Sequence, residues 1–151
     1  MDAQATMRLM FDTMDAYDRA DFDRLAEIYA EDARWINADP KGPHCANRDD
    51  IFTMFRQRMS SGIRITFDEL RSTPTHVVLT ARAADFGRVV SVFSFQGRRI
   101  VAIRDYPSMR AAESALRPAR RGLLGRFARL VRELPRRLAG HRPRAHQPGL
   151  G

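Results

Sequence analysis

The chain of 151 residues has a single cysteine, Cys45, and no apolar run that approaches the length of a membrane span. One cysteine excludes an internal disulfide and favours a reducing compartment. A helix needs about 20 mainly apolar residues to cross a bilayer, so no spanning helix is expected. The N-terminal segment carries an early acid and lacks the basic stretch that precedes the apolar core of a signal peptide. We therefore expect a cytoplasmic protein.

Several signatures of catalytic and cofactor sites are also missing. The sequence has no glycine-rich phosphate loop, no serine nucleophile elbow and no cluster of spaced metal ligands. His44 and Cys45 are neighbours in a predicted loop, but a zinc site needs further ligands at defined spacing. We therefore expect neither a metal site nor a bound cofactor.

Positive charge is concentrated at the C-terminal end. The formal net charge is +8, but residues 117–151 contain ten arginines and one acid, which leaves 16 basic and 17 acidic groups to residues 1–116. We interpret residues 113–151 as an arginine-rich tail that is amphipathic at first and disordered at its end. Such a tail suits an anionic membrane surface and, with few aromatic residues, suits nucleic acid less well. A solvated extension without a partner is the remaining alternative.

The order of the predicted elements indicates an α+β fold. Apolar residues at helical spacing mark three segments, residues 3–20, 22–30 and 48–59. Asp21 is a suitable N-cap for the second helix, and Asn47 or Asp49 for the third. Strand patterns occupy residues 34–37, 63–72, 76–84, 87–96 and 98–106. Helices followed by consecutive strands favour an antiparallel sheet with the helices gathered on one face.

The most informative stretch is GRVVSVFSFQGRRIVAIRDYPS, residues 87–108. It predicts two strands joined at Gln96-Gly97. With a two-residue turn and a regular register, Asp105 shares a face with Val90 and Ile103. Because both faces of this hairpin are mostly apolar, one could cover a cavity and the other a partner subunit. A carboxylate beside apolar side chains is desolvated, which raises its pKa and makes Asp105 a candidate site residue.

The element order, the phrases DFDRLAEIYAEDARW and FSFQGRRIVAIRDYPS, and the Asp-Pro-x-Gly turn at residues 39–42 resemble the NTF2-like superfamily. The resemblance is to its SnoaL-like, polyketide-cyclase-like branch and covers about residues 3–112. It implies a cone in which a curved antiparallel sheet wraps three N-terminal helices around an apolar cavity. It also implies a homodimer through the outer surface of the sheet. The expected domain is then residues 1–112, with the tail at residues 113–151.

The resemblance leaves several chemistries open, because this fold carries cyclases, isomerases, hydrolases and simple binding modules. In SnoaL-like cyclases an Asp on the last strand acts as general acid or base, a role that Asp105 fits. Members similar to limonene epoxide hydrolase combine an Arg-x-Asp strand with an Arg-Asp-Tyr strand. Here residues 104–106 match the second phrase, whereas the acid that follows Arg82 is Asp85, one position too late.

Members similar to ketosteroid isomerase place their base in an Asp-Pro-x-Gly turn, which here contains Asp39. Their helical Tyr and their second acid fall near Thr13 and Ser91 of this chain. A base without these partners forfeits about 10²-fold or more in rate. The resemblance therefore favours Asp105 over Asp39 as the proton-transfer group.

We predict that a small hydrophobic molecule binds in the cavity, with acid/base turnover through Asp105 and with Arg82 orienting that acid. Asn37 is expected to hold a water or a ligand oxygen. The full set of candidate ligand-binding residues is Trp35, Asn37, Asp39, Met14, Tyr17 and Phe55. The alternative is a non-catalytic ligand-binding or dimerisation module that the basic tail recruits to an anionic surface.

Overall fold

The computed structural model describes residues 1–116, which form four helices and five strands. In chain order these are α1 (Ala3–Asp18), α2 (Phe22–Ile28), β1 (Tyr29–Asn37), α3 (Arg48–Ser60), β2 (Ile65–Ser72), β3 (His76–Ala83), β4 (Gly87–Gln96), β5 (Arg99–Tyr106) and α4 (Met109–Leu116). The predicted order of three helices, an early strand and four later strands is confirmed, as is the α+β class.

The first three helices begin at the residues that their sequences favour. Asp2, Asp21 and Asn47 occupy the N-cap positions of α1, α2 and α3, and each side chain accepts the backbone N–H three residues further on. These bonds satisfy donors that have no partner within the helix. The largest departure from the predicted boundaries is here, because α2 ends at Ile28 and the next residue already belongs to β1, five residues before the predicted strand at residues 34–37. Tyr29 is 1% exposed and pairs with Ile100 of β5, so tertiary packing ends this helix early.

The five strands form one open sheet in the order β1-β5-β4-β3-β2. Strands β2 to β5 pair in the antiparallel manner that consecutive strands favour. The sheet departs from the expected antiparallel arrangement in one place, because β1 lies parallel to β5. Parallel pairing is possible because a long connection containing α3 and three strands separates β1 from β5 along the chain.

The register of the β4–β5 hairpin differs from the regular one expected from its sequence. The turn does take two residues, Gly97 and Arg98, and Gly97 has a φ of 58° that glycine adopts without strain. Val101, however, has no partner in β4, because the pairing steps from Ile100 to Ala102. This β-bulge moves every later side chain of β5 to the opposite face. Asp105 therefore lies opposite Ser91, and its predicted place on the face of Val90 is wrong.

Helix α4 packs on the outer face of the sheet. Its Ala112 is fully buried against an apolar cluster on β3 and β4, made of Val78, Val90 and Val92. Burying a valine fully contributes about 1.5–3 kcal/mol to stability, so this helix is an integral part of the fold. Helix α4 continues to Leu116, four residues beyond the predicted domain limit at residue 112.

The position of α4 bears on the expected homodimer. The apolar side chains of β4 that suggested a partner subunit are covered from within the same chain. A dimer through the remainder of the outer face stays a prediction. Of the predicted tail at residues 113–151, the part from residue 117 onward lies outside the described residues. No helix within residues 1–116 is long and apolar enough to cross a membrane.

Candidate active site

A cavity of about 510 Å³ lies between the helices and the inner face of the sheet. Its walls are mainly apolar, with methionines from α1 and aromatic rings from α3 and the strands, among them Met10, Met14, Phe55, Phe67 and Phe93. Small-molecule sites in proteins usually have volumes of about 300–1,000 Å³ and similar apolar linings. Methionine side chains adapt their shape readily, so this wall can follow the outline of an apolar ligand.

Aromatic contacts fix the positions of the rings on the helical side of the cavity. The ring of Phe55 lies edge-on to Tyr17, with 4.9 Å between centroids, and edge-on to Trp35 at 6.0 Å. Such pairs contribute about 0.5–1.5 kcal/mol each beyond the area that they bury. Two contacts therefore hold the indole of Trp35 in place: its packing against Phe55 of α3 and its hydrogen bond to Asp105.

The carboxylate of Asp105 is the central polar group of the cavity wall. The residue is only 5% exposed, and each of its side-chain oxygens accepts one hydrogen bond. Trp35 Nε1 donates to Oδ2 at 2.6 Å, and Ser91 Oγ donates to Oδ1 at 2.6 Å. Short bonds of this kind to a charged acceptor are about twice as strong as neutral ones.

The pKa of Asp105 is raised above its ordinary value. Burial is the main cause, because it disfavours the charged carboxylate. The hydrogen bonds from Ser91 and Trp35, and the positive charge of Arg58, all favour the charged form and lower the pKa, but they do not offset burial. The result is a carboxyl group that gains a proton more readily than an exposed aspartate does.

The structure brings most of the predicted site residues together around this cavity. Asp105 lies in its wall, and the six candidate ligand-binding residues all line it: Met14, Tyr17, Trp35, Asn37, Asp39 and Phe55. Their positions in the chain range from α1 to β5, so only the tertiary fold assembles the set.

Arg82 is the exception, because its expected contact with Asp105 does not form. Its guanidinium donates from Nε and Nη2 to the two carboxylate oxygens of Asp68, both at 2.7 Å. Alternation along β3 turns Ala81 into the cavity and Arg82 away from it. The pair is largely exposed, where an ion pair contributes only about 0–1 kcal/mol. Trp35 and Ser91 instead hold Asp105 in position.

The Asp-Pro-x-Gly turn lies at the rim of the cavity. Asn37 Oδ1 accepts the backbone N–H of Asp39, and Asp39 Oδ1 accepts the N–H of Lys41, both at 2.9 Å. A Cβ on Gly42 would lie 2.2 Å from the amide carbon of Asn37, so only glycine permits this close approach. The exposed Asp39 is thus engaged in the turn, and the Asn37 amide nitrogen forms no hydrogen bond to residues 1–116.

The two positions that resemble the partners of the ketosteroid-isomerase base hold other groups. The Thr13 hydroxyl donates to the carbonyl of Leu9 at 2.7 Å, and the Ser91 hydroxyl donates to Asp105. Neither position supplies a phenol or a second carboxyl group. In the part of the chain that the structure describes, no group of three His, Cys, Asp or Glu residues could hold a metal ion.

The family of the chain follows from its sequence profile. The profile described as the SnoaL-like domain matches residues 11–103, more than half of the chain. The chain belongs to the SnoaL-like family. It thereby belongs to the NTF2-like superfamily, as the sequence resemblance indicated. No curated protein matches it significantly.

Solved structures share the fold of this SnoaL-like protein at low sequence identity. An NTF2-like protein from Burkholderia xenovorans is 20% identical, with a TM-score of 0.58 over 76% of this chain and 98% of its own. A SnoaL-like protein of unknown function from Burkholderia thailandensis is 18% identical, with a TM-score of 0.53 over 68% and 92%. A proposed polyketide cyclase from Sinorhizobium meliloti is 15% identical, with a TM-score of 0.55 over 66% and 94%. These similarities establish the fold and leave the reaction open.

Ser91 and Arg58 are among the residues of the SnoaL-like cavity that were not selected from the sequence as site residues. Ser91 was noted only for its position in a related family, and the bulge that pairs it with Asp105 has no signal in the pattern of apolar residues. Arg58 lies three residues after Phe55, so helical spacing alone places the two on neighbouring faces. That spacing could have identified Arg58 as a cavity residue.

Proposed function

We propose that this SnoaL-like protein binds a small hydrophobic molecule in its cavity and transfers a proton through Asp105. One observation carries the proposal: a carboxyl group that is 5% exposed stands in an apolar wall with both oxygens hydrogen-bonded. A group of this kind is costly to bury, and perturbed carboxyl groups in clefts are enriched at functional sites.

The hydrogen bonds suit Asp105 to both directions of proton transfer. The Trp35 indole can only donate, so Oδ2 accepts its N–H in either protonation state. The Ser91 hydroxyl can donate to a charged Oδ1 or rotate and accept from a protonated one. Because the raised pKa moves towards neutral pH, Asp105 is a stronger base than an exposed aspartate and also a usable acid.

The step that we propose is abstraction of an acidic C–H proton next to a carbonyl. The C–H bond breaks, the proton joins an oxygen of Asp105, and the electron pair moves to the carbonyl oxygen as an enolate. The Asn37 amide nitrogen, which is free of hydrogen bonds to the described residues, can donate to that oxygen. Where a C=C bond is conjugated with the enolate, return of the proton from Asp105 to the far carbon of that system gives isomerisation. Attack of the enolate carbon on a second carbonyl gives cyclisation, and the proton passes from Asp105 to the alkoxide oxygen that this attack forms.

The experiment is proton exchange into a panel of apolar β-ketoesters in D₂O, followed by NMR, with apolar epoxides tested in parallel for hydrolysis. We expect the wild type to accelerate exchange and Asp105→Asn to lose about 10²-fold or more, the usual contribution of a general base. Asn retains the shape of Asp and can accept from Trp35 and donate to Ser91, so the variant should fold.

Asp39→Asn is the matched control, because Asp39 is the other carboxylate that lines the cavity. Unchanged turnover in this variant is expected. Loss of turnover in Asp39→Asn, with turnover kept in Asp105→Asn, would show that Asp39 in the turn is the base. Equal turnover in the wild type and Asp105→Asn would contradict the catalytic proposal and favour a non-catalytic ligand-binding module.

A further inference from the structure

Arg58 is a charged group of the cavity that the proposed proton transfer does not use. It stands in the last turn of α3, is only partly exposed and contributes to the cavity wall. Its guanidinium carbon lies 5.4 Å from the ring centroid of Trp35 and 5.2 Å from that of Phe86. A guanidinium beside two ring faces is held by cation–π attraction, which leaves its N–H groups available for hydrogen bonding.

The N–H groups of Arg58 have no acceptor among residues 1–116 that the structure records, and no carboxylate of this part of the chain forms an ion pair with it. Other arginines of residues 1–116 form salt bridges with carboxylates. Arg24 binds the carboxylates of Asp12 and Glu27, and Arg82 binds Asp68. A guanidinium has five donors in a fixed fork that matches a carboxylate. In the cavity wall this fork has no partner within the described chain.

Arg58 and Asp105 both contact the indole ring of Trp35, at different parts of the ring. Trp35 donates its ring N–H to Asp105 and has the guanidinium of Arg58 near its ring. Arg58 and Asp105 are close enough for the positive charge to lower the pKa of Asp105, but they form no ion pair. A polar group of a ligand can therefore reach Arg58 without first breaking a salt bridge.

We propose that Arg58 binds the carboxylate of an amphipathic ligand whose apolar body fills the cavity. This rests on the proposed ligand-binding function and names the chemical class of the ligand as an apolar carboxylic acid. A monoanion matches the single guanidinium held between Trp35 and Phe86. The cavity's other lining arginine, Arg88, is exposed at the start of β4 and is not held in this way.

The experiment compares two probes of nearly equal shape, 4-cyclohexylbutanoate and its uncharged amide 4-cyclohexylbutanamide. Trp35 is the only tryptophan of the chain and lines the cavity, so its fluorescence reports occupancy directly. We expect the wild type to bind the acid about tenfold or more tightly than the amide, because only the acid has a negative charge and two acceptor oxygens that match the guanidinium fork. Arg58→Met should remove this preference, because it weakens binding of the acid far more than binding of the amide.

Arg56→Met is the matched control. Arg56 belongs to the same helix, and its guanidinium also lies over an aromatic ring, 4.1 Å from the centroid of Phe22, but it does not line the cavity. This variant should keep the full preference for the acid. Arg58→Lys, which keeps the charge without the fork, should retain part of the preference and provides a second variant if Arg58→Met is unstable.

The outcomes separate this inference from the proposed function. Equal affinity of the wild type for acid and amide would overturn the role of Arg58 and leave apolar binding intact. An acid preference that survives Arg58→Met but disappears in Arg88→Met would also overturn it. If the wild type binds neither probe up to its solubility limit, the ligand class is wrong, and the β-ketoester exchange experiment decides on the proposed function separately.

Discussion

Replacing Ser91 by alanine removes one of the two hydrogen bonds to the Asp105 carboxylate and changes little else. The hydroxyl donates to Oδ1 at 2.6 Å, and both residues are buried. Alanine fits the site because it is smaller than serine and keeps the same backbone. The variant therefore isolates the effect of this one donor on the protonation of Asp105.

The expected effect is a further rise in the pKa of Asp105. A hydrogen bond to a charged group contributes about 1.5–3 kcal/mol, and about 1.4 kcal/mol corresponds to one pH unit of pKa. Loss of the Ser91 donor should thus remove about 1.5–3 kcal/mol of stabilisation from the charged form and raise the pKa of Asp105 further. The direction follows from the sign of the interaction, because the hydroxyl stabilises the charged form more than the neutral one.

The assay is an NMR titration of the Asp105 carboxyl carbon, assigned by its absence from the spectrum of Asp105→Asn. Ser94→Ala is the matched control, since Ser94 lies on the same strand three residues later and pairs with Ala102 instead of Asp105. Ser91→Thr keeps the hydroxyl and should keep a pKa close to that of the wild type.

A pKa that is unchanged or lowered in Ser91→Ala would refute this reasoning. It would mean that the hydroxyl does not favour the carboxylate and that burial alone sets its protonation. An equal rise in Ser94→Ala would refute it too, because the effect would then come from a general loosening of β4.

Three further predictions concern stability, the rim of the cavity and assembly. Burial raises the pKa of Asp105, so the folded state holds the carboxyl proton more tightly than the unfolded chain does. The protonated carboxyl group therefore contributes to stability below about pH 3.9, and this contribution is lost as the pH rises through the pKa of the folded state. In urea unfolding, the free energy of unfolding of Asp105→Asn should therefore rise relative to that of the wild type through this pH window, by about 1.4 kcal/mol for each pH unit by which the pKa is raised. Parallel pH profiles of the two proteins would contradict this. Gly42→Ala should displace the Asn37 side chain, visible as a shift of its amide NMR signals, and unchanged signals would show that the turn relaxes elsewhere. Ile36 of β1 is 36% exposed and lies on the side of the sheet where a homodimer is predicted. Ile36→Glu should therefore lower the mass measured by analytical ultracentrifugation. A monomeric wild type would contradict the predicted dimer.

Much of the site could be predicted from the sequence because it depends on local patterns and on a family resemblance. The stripe that includes Met14 and Tyr17, the cap at Asn47 and the acid at the end of the last strand are readable within short segments. All six candidate ligand-binding residues do line one cavity.

The failures occurred where the outcome depends on contacts between distant segments. The family resemblance predicts a contact between Arg82 and Asp105. In the structure, Arg82 instead binds Asp68, which lies on the outer face of the neighbouring strand. The end of α2 was placed too late, because the burial of Tyr29 against a strand about 70 residues away overrides its local helical pattern.

The sequence by itself determined the class of fold, the order of the elements and the concentration of arginine beyond residue 116, because periodicity and composition are properties of the chain. The tertiary structure alone decided which way Asp105 faces. A single unpaired residue, Val101, shifts the β4–β5 register, and in a strand a shift of one residue exchanges the two faces. That shift places the carboxylate between Ser91 and Trp35 in the cavity wall instead of beneath α4.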